Sequence, residues 1–324
     1  VRYVNFDSSG SLQSLPRIAP RHCAMAVFTL IVSIAAAEPA LHAENDVLPG
    51  GVAQVAITES LMEDVVVTLK DNQDRTLSRA EGFVWRTPTG RAISVALLGI
   101  PSTAAPGKYR IVMRARHERT DWQLERPINL IDVTFPEQLI HLSDKMNEIF
   151  HDDSERKKME ARELWAVLNS FNPRTLYHLG RLVSPLEEWV PTAAYGDRRR
   201  FRMPNGSEST TVHFGRDLWA PVNSPISAAG KGRVIMAKER YLTGNTVVIE
   251  HLPGVFTLYY HMDTLGVEAG QIVNAGEFIG TIGETGFATG VHLHWELRVG
   301  TVPVEPDAFL EKPLLDTNML IGKM

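Results

Sequence analysis

The chain has 324 residues, enough for about two domains of ordinary size. Hydrophobic residues make up 44% and charged residues 22%, a balance that excludes wholesale disorder. A formal net charge of -5 gives no global attraction for nucleic acid, so none is expected as a partner.

At the N-terminus Arg17, Arg21 and His22 precede Ala24–Ala37, an uncharged and mostly apolar run that leads into small residues and then polar sequence. This layout predicts an export signal, with cleavage after Ala43 or nearer Ala37 or Ala40. The segment ahead of Arg17 is long for such a leader, which places the expected start beyond Val1. The apolar run is shorter than the roughly 20 helical residues that span a bilayer, so no permanent membrane span is expected. Cys23, the single cysteine, lies ahead of this run. A cleaved chain therefore has neither a disulfide nor a Cys nucleophile.

Residues 1–43 are thus read as signal and upstream segment, and 44–135 as a β-rich accessory domain. Within the latter, Val52–Thr58, Val65–Leu69, Ala92–Leu98, Tyr109–Ala115 and Ile128–Val133 are short β-rich runs separated by turns, the pattern of a small antiparallel sandwich. Residues 136–194 read as a helical connector. Ala161, Leu164, Leu168 and Phe171 recur at helical spacing there, an apolar stripe suited to packing on a neighbouring domain, and Pro173 limits its continuation. The run Arg198, Arg199, Arg200, Phe201, Arg202 reads as a solvated turn or hairpin, with a wall-contacting patch as the alternative. From 195 to 310, strands and glycine turns alternate quickly, as in Thr246–Leu252 and Phe256–Met262, which predicts a compact, largely antiparallel β domain. Residues 311–324 form a tail. The predicted fold class is mainly β.

The chemistry concentrates in this last domain. His213 and Asp217 stand four residues apart, with Gly215 and β-rich neighbours favouring a loop that enters a strand. His292 and His294 alternate on a predicted strand, so both side chains share a face. A hydrolytic zinc takes three protein ligands from His and carboxylate groups and leaves a fourth position for water. Two His and one Asp meet that need, and His261 and His292 are suited to proton transfer and oxyanion stabilisation. Taken singly, each of these residues reads more simply as a satisfied polar group, as do His117, His141, His151, His178 and His251. Gly283–Gly290 lacks the Lys of a phosphate loop and reads as a turn or cleft rim. Trp219 and Trp295 read as packing residues.

Three segments in order, His213-x-Gly215-x-Asp217, Leu258–His261 and His292-Leu-His294, resemble the signature segments of lysostaphin-type zinc metallopeptidases. The intervening Ala220-Pro221, Gly244-Asn245, Val267–Gly270, Gly283–Gly286 and Thr289-Gly290 resemble that family's turns, so the likeness runs from about Tyr195 to Pro306. The resemblance implies one Zn2+ per chain held by His213, Asp217 and His294, with His292 as general base and His261 as transition-state stabiliser. It implies an exported enzyme of the periplasm or cell envelope, or a secreted one, that cuts peptide cross-links of bacterial peptidoglycan by zinc-activated water. Cleavage of glycine-rich bridges or peptides, and a wall-binding regulator of another hydrolase, are the alternatives.

Overall fold

The computed structural model describes residues 38–322 apart from 59–60, so the expected export signal up to Ala37 lies outside the described residues. The N-terminal strands are β1 (Ala40–His42), β2 (Asp46–Val47), β3 (Val52–Thr58), β4 (Glu63–Lys70), β5 (Thr76–Arg86), β6 (Ala92–Gly99), β7 (Gly107–His117) and β8 (Thr120–Leu130). They form one path, β1-β3-β6-β5-β4-β7-β8-β2. The long strand β5 serves both halves of that path, pairing with β4 through Thr76–Glu81 and with β6 through Gly82–Arg86. At the changeover a Cβ on Gly82 would stand 2.6 Å from the Val65 side chain, so the close approach requires glycine. The first strand begins ahead of the expected boundary at Ala43: Ala40–His42 pairs antiparallel with Ala56–Thr58, and Ala43 is buried in the core.

The connecting segment holds a strand as well as helices. β9 (Glu137–His141) is followed by α1 (Asp144–His151) and α2 (Glu155–Leu168). Ser143 and Ser154 cap the N-termini of the two helices by accepting from the N–H groups of Met146 and Lys157, which fixes where each helix starts. α2 buries Leu168 and packs Leu164 and Val167 on one face of the C-terminal sheet, against Val248, Phe256 and Leu258. Ala161, expected in this stripe, is exposed, and Phe171 packs on the larger core instead.

The C-terminal strands are β10 (Val190–Ala193), β11 (Arg198–Arg202), β12 (Glu208–Val212), β13 (Arg216–Trp219), β14 (Pro225–Ser227), β15 (Gly232–Arg240), β16 (Gly244–Leu252), β17 (Val255–Met262), β18 (Thr264–Leu265), β19 (Ile272–Val273), β20 (Phe278–Thr281), β21 (Leu293–Val299) and β22 (Val302–Val304). The main sheet runs β10-β13-β21-β17-β16-β15-β19, with β22 added to β21. Small three-stranded sheets, β12-β11-β9 and β14-β20-β18, flank it. The basic run is therefore one arm of a hairpin with β12, as the hairpin reading had it and not a solvated turn, and it becomes the middle strand of a sheet because β9 pairs parallel on its other edge. Short helices α3 (Ala308–Glu311) and α4 (Thr317–Ile321) close the chain.

One hydrophobic core joins the two halves: Val52, Phe83, Trp85 and Val95 from the N-terminal strands share it with Ile226, Val299, Val304 and Leu315. A second core, including Val55, Val67, Leu98 and Ile111, belongs to the N-terminal domain alone.

Candidate metal centre

β13, β21 and β17 lie side by side, and their register assembles the site. Asp217 faces His294 across β13 and β21, and Tyr260 faces His294 across β17 and β21. His213 comes from the loop between β12 and β13, as its neighbouring glycine implied. A Cβ on Gly215 would sit 2.6 Å from the Trp295 carbonyl oxygen and 2.7 Å from His294 Nε2, so glycine lets this loop lie on β21.

The three expected ligands meet. His213 Nε2 is 3.0 Å from Asp217 Oδ1 and 2.9 Å from His294 Nδ1, and His294 Nδ1 is 2.7 Å from Asp217 Oδ1. Among the described residues these three side chains form the cluster of His, Asp, Glu and Cys whose ligand atoms all lie within 4.8 Å of one another. The outward nitrogen of each imidazole is already committed. His213 Nδ1–H donates to the Ala194 carbonyl at 2.7 Å, and His294 Nε2–H donates to Glu296 Oε1 at 3.0 Å. These bonds leave His213 Nε2 and His294 Nδ1 as the nitrogens that face Asp217; once free of protons each offers a lone pair, and two imidazoles with a carboxylate are a donor set suited to zinc. The Tyr260 ring stacks on His294 at 5.4 Å with an interplanar angle of 3°, supporting the ring plane.

Burial would push the Asp217 carboxyl up, but hydrogen bonds from His213 and His294 overcome it and hold the group well below the usual carboxylate range. Burial lowers His213. Burial also opposes a charge on His294, yet the hydrogen bonds with Asp217 and Glu296 outweigh it and raise this imidazole to about 9. Glu296 is held down to about 2 because the Arg298 charge and the His294 bond overcome its desolvation.

His261 and His292 reach the same centre from two other segments. Their rings lie 4.9 Å apart, and His292 Nε2 is 3.7 Å from Asp217 Oδ1. Each spends Nδ1–H on a backbone carbonyl, His261 on Thr285 and His292 on Gly290, both at 2.8 Å. Burial lowers both imidazoles, His261 to about 3. His261 holds a left-handed backbone, φ +61°, where β17 ends. The rim of Gly283–Gly290 thus acts as the carbonyl partner of both rings.

The cleft above these groups has a volume of about 440 Å³. Leu139 and Ile140 of β9, Met146 of α1 and Arg199 and Phe201 of β11 wall it on one side, facing Phe287 and His292. Alternation along β11 divides the basic run: Arg199 and Phe201 face the cleft, whereas Arg198 donates to Ser102 and Arg202 pairs with Glu208. Trp295 is buried as expected, but Trp219 is 45% exposed.

Glu296 and Arg199 were not anticipated as site residues. Glu296 carried a readable signal, since His294, Glu296 and Arg298 recur at every second position of one strand. Arg199 carried none, because its contact with Asp217 depends on the placement of β11.

A curled antiparallel sheet that brings two imidazoles and a carboxylate together beneath an open cleft, with two more imidazoles at hand, defines the metallopeptidase class of hydrolases. Residues 211–306 match the family model of Peptidase family M23. Peptidoglycan DD-endopeptidase ShyA of Vibrio cholerae is 32% identical over 140 residues, 43% of this chain and 26% of that protein. DD-carboxypeptidase/endopeptidase Mpg of Neisseria meningitidis is 38% identical over 106 residues, 33% of this chain and 24% of that protein. The chain thus spans about a quarter of the length of these curated relatives. A crystal structure described as a candidate peptidase M23 from Pseudomonas aeruginosa shares the fold, with a TM-score of 0.56 at 22% identity over 81% of this chain and 94% of that one.

Proposed function

We propose that this chain is an exported zinc metalloendopeptidase that hydrolyses peptide cross-links of bacterial peptidoglycan, with one zinc per chain. The observation that carries this reading is the convergence of His213 Nε2, Asp217 Oδ1 and His294 Nδ1, with His261 and His292 beside them. The Vibrio and Neisseria relatives, named for activity on peptidoglycan or for DD-peptidase action, support the substrate class. Export rests on the pattern of residues 17–43.

His213, Asp217 and His294 would hold the metal. When bound, zinc supplies a Lewis acid and lowers the pKa of a coordinated water toward about 7. His292 is the proton acceptor: its Nδ1–H bond to Gly290 leaves Nε2 as a lone pair, and Asp217 Oδ1 at 3.7 Å favours a proton arriving there. The role of His261 is conditional. Its Nδ1–H bond to Thr285 leaves Nε2 as an acceptor, so it donates to a developing oxyanion only after gaining a proton, which burial and the His292 and His294 charges oppose. In the resting site both histidines therefore present acceptor nitrogens.

The mature protein is expected to bind about one zinc and to release uncross-linked peptides from wall sacculi. Full zinc loading with no cleavage of any wall preparation would count heavily against the reading. Defined muropeptides with direct and with glycine-bridged cross-links distinguish the two linkage classes. A His294→Ala protein that loses zinc but preserves the cellular phenotype would favour a wall-binding regulator.

A further inference from the structure

We infer that Arg199 is a positioning residue for the metal centre, an outer clamp that fixes which oxygen of Asp217 is offered to the ion. The inference rests on the metal reading above and adds to it a residue from outside residues 211–306, the span that matches the family model.

Asp217 has two oxygens with different tasks. Oδ1 faces His213 and His294, whereas Oδ2 accepts a hydrogen bond from Arg199 Nη2 at 2.5 Å. Both side chains are largely out of water, Arg199 at 17% exposure and Asp217 at 9%. A buried carboxylate oxygen without a partner is costly, and a carboxylate free to rotate offers a metal either oxygen or both. The arginine removes both problems, because its charged donor satisfies Oδ2 and pins the carboxylate plane, leaving Oδ1 as the single inward oxygen. Outer partners of this kind orient a ligand and set its affinity for the ion.

The arginine is itself held in place. It sits on the middle strand of the small sheet, paired with β9 and β12, and its strand neighbour Arg198 donates to the Ser102 carbonyl of the N-terminal domain and stacks over Phe135. Successive residues of β11 thus tie one face to the N-terminal domain and the other to the metal ligand.

The test uses the full chain, stripped of metal, with Zn2+ alone as the probe and affinity read by competition with a chromogenic chelator. Arg199→Met and Arg199→Gln are expected to weaken zinc binding by about 10–100-fold, and Arg199→Lys to recover part of the loss. Two uncharged variants are used so that one that folds, judged by its metal-free melting curve, is available. Arg200→Gln, on the opposite face of the same strand, should bind zinc like the parent. In an Asp217→Ala background, Arg199→Met should have no further effect, because its route to the metal is gone. Parent-like zinc affinity in a folded Arg199→Met or Arg199→Gln protein would overturn the inference, as would an equal loss in the Asp217→Ala background. If the parent chain itself binds no zinc, the metal reading fails and this inference with it.

Discussion

His292 and His294 are two residues apart, the first just ahead of β21 and the second within it, and they have different surroundings. The ring nitrogen of His294 that faces away from Asp217 is tied to Glu296, while that of His292 is tied to the Gly290 carbonyl, which leaves His292 Nε2 set back 3.7 Å from Asp217. A His292→Ala protein should keep most of its zinc and lose turnover by about 10²–10⁴-fold, the usual worth of a general base. Metal analysis alongside muropeptide hydrolysis checks this, and severe zinc loss would mean that the His-x-His pair had been assigned backwards. Glu296 governs the other ring. Glu296→Gln should weaken zinc binding by about tenfold or more, because the carboxylate that makes His294 a stronger base is replaced by a neutral amide. Chelator competition reads that loss.

At the scale of elements, the site depends on how closely β13 lies on β21. Gly215→Ala places a methyl group against the Trp295 carbonyl and the His294 ring, so the strands must separate. We expect it to cost about 1–3 kcal/mol of stability in thermal or urea unfolding and to lower zinc affinity together with it. The elements legible in the sequence were those whose apolar residues were continuous, such as β3, β6, β16 and β17, all of them almost wholly buried. β5 was missed because its exposed residues are polar and Gly82 interrupts it. β8 was placed late, at Ile128–Val133 instead of Thr120–Leu130, because the charged Asp121, Glu125 and Arg126 hide a strand that only its hairpin with β7 defines. β9 pairs with β11 across more than fifty intervening residues, a contact that no local window contains.

Across the whole molecule, the two halves share a core, so the C-terminal half is not an independent body hung on a linker. A fragment spanning 195–324 would uncover the part of the shared core that Val52, Phe83, Trp85 and Val95 complete in the full chain. We expect that fragment to aggregate or to bind a hydrophobic dye, whereas the full chain unfolds in one cooperative transition. Glu305 lies at this junction, its backbone N–H bonded to the Gly50 carbonyl. Burial first, and the Asp307 charge second, raise its carboxyl from 4.5 to about 7. Between these values the folded chain holds a proton that the unfolded chain releases, so the contribution of Glu305 to stability is full below about 4.5 and is lost as the pH rises through about 7. Glu305→Gln should therefore match the parent at pH 4 and exceed it at pH 8, by on the order of 1–3 kcal/mol, in denaturant unfolding at the two pH values.

The residue types and their alternation along the chain determined by themselves that the fold is mainly β, and three ordered segments that resemble a metallopeptidase family named the five side chains to consider. These are local properties: strand alternation places His292 and His294 on one face, and glycine marks where His213 must turn. The tertiary structure decided which atoms meet. Asp217 faces His294 only through the register of β13 on β21, and Arg199 reaches Asp217 only because β9 and β12 hold its strand over the cleft. Such contacts join residues far apart in sequence, and their energy exists only once the sheets that carry them have packed.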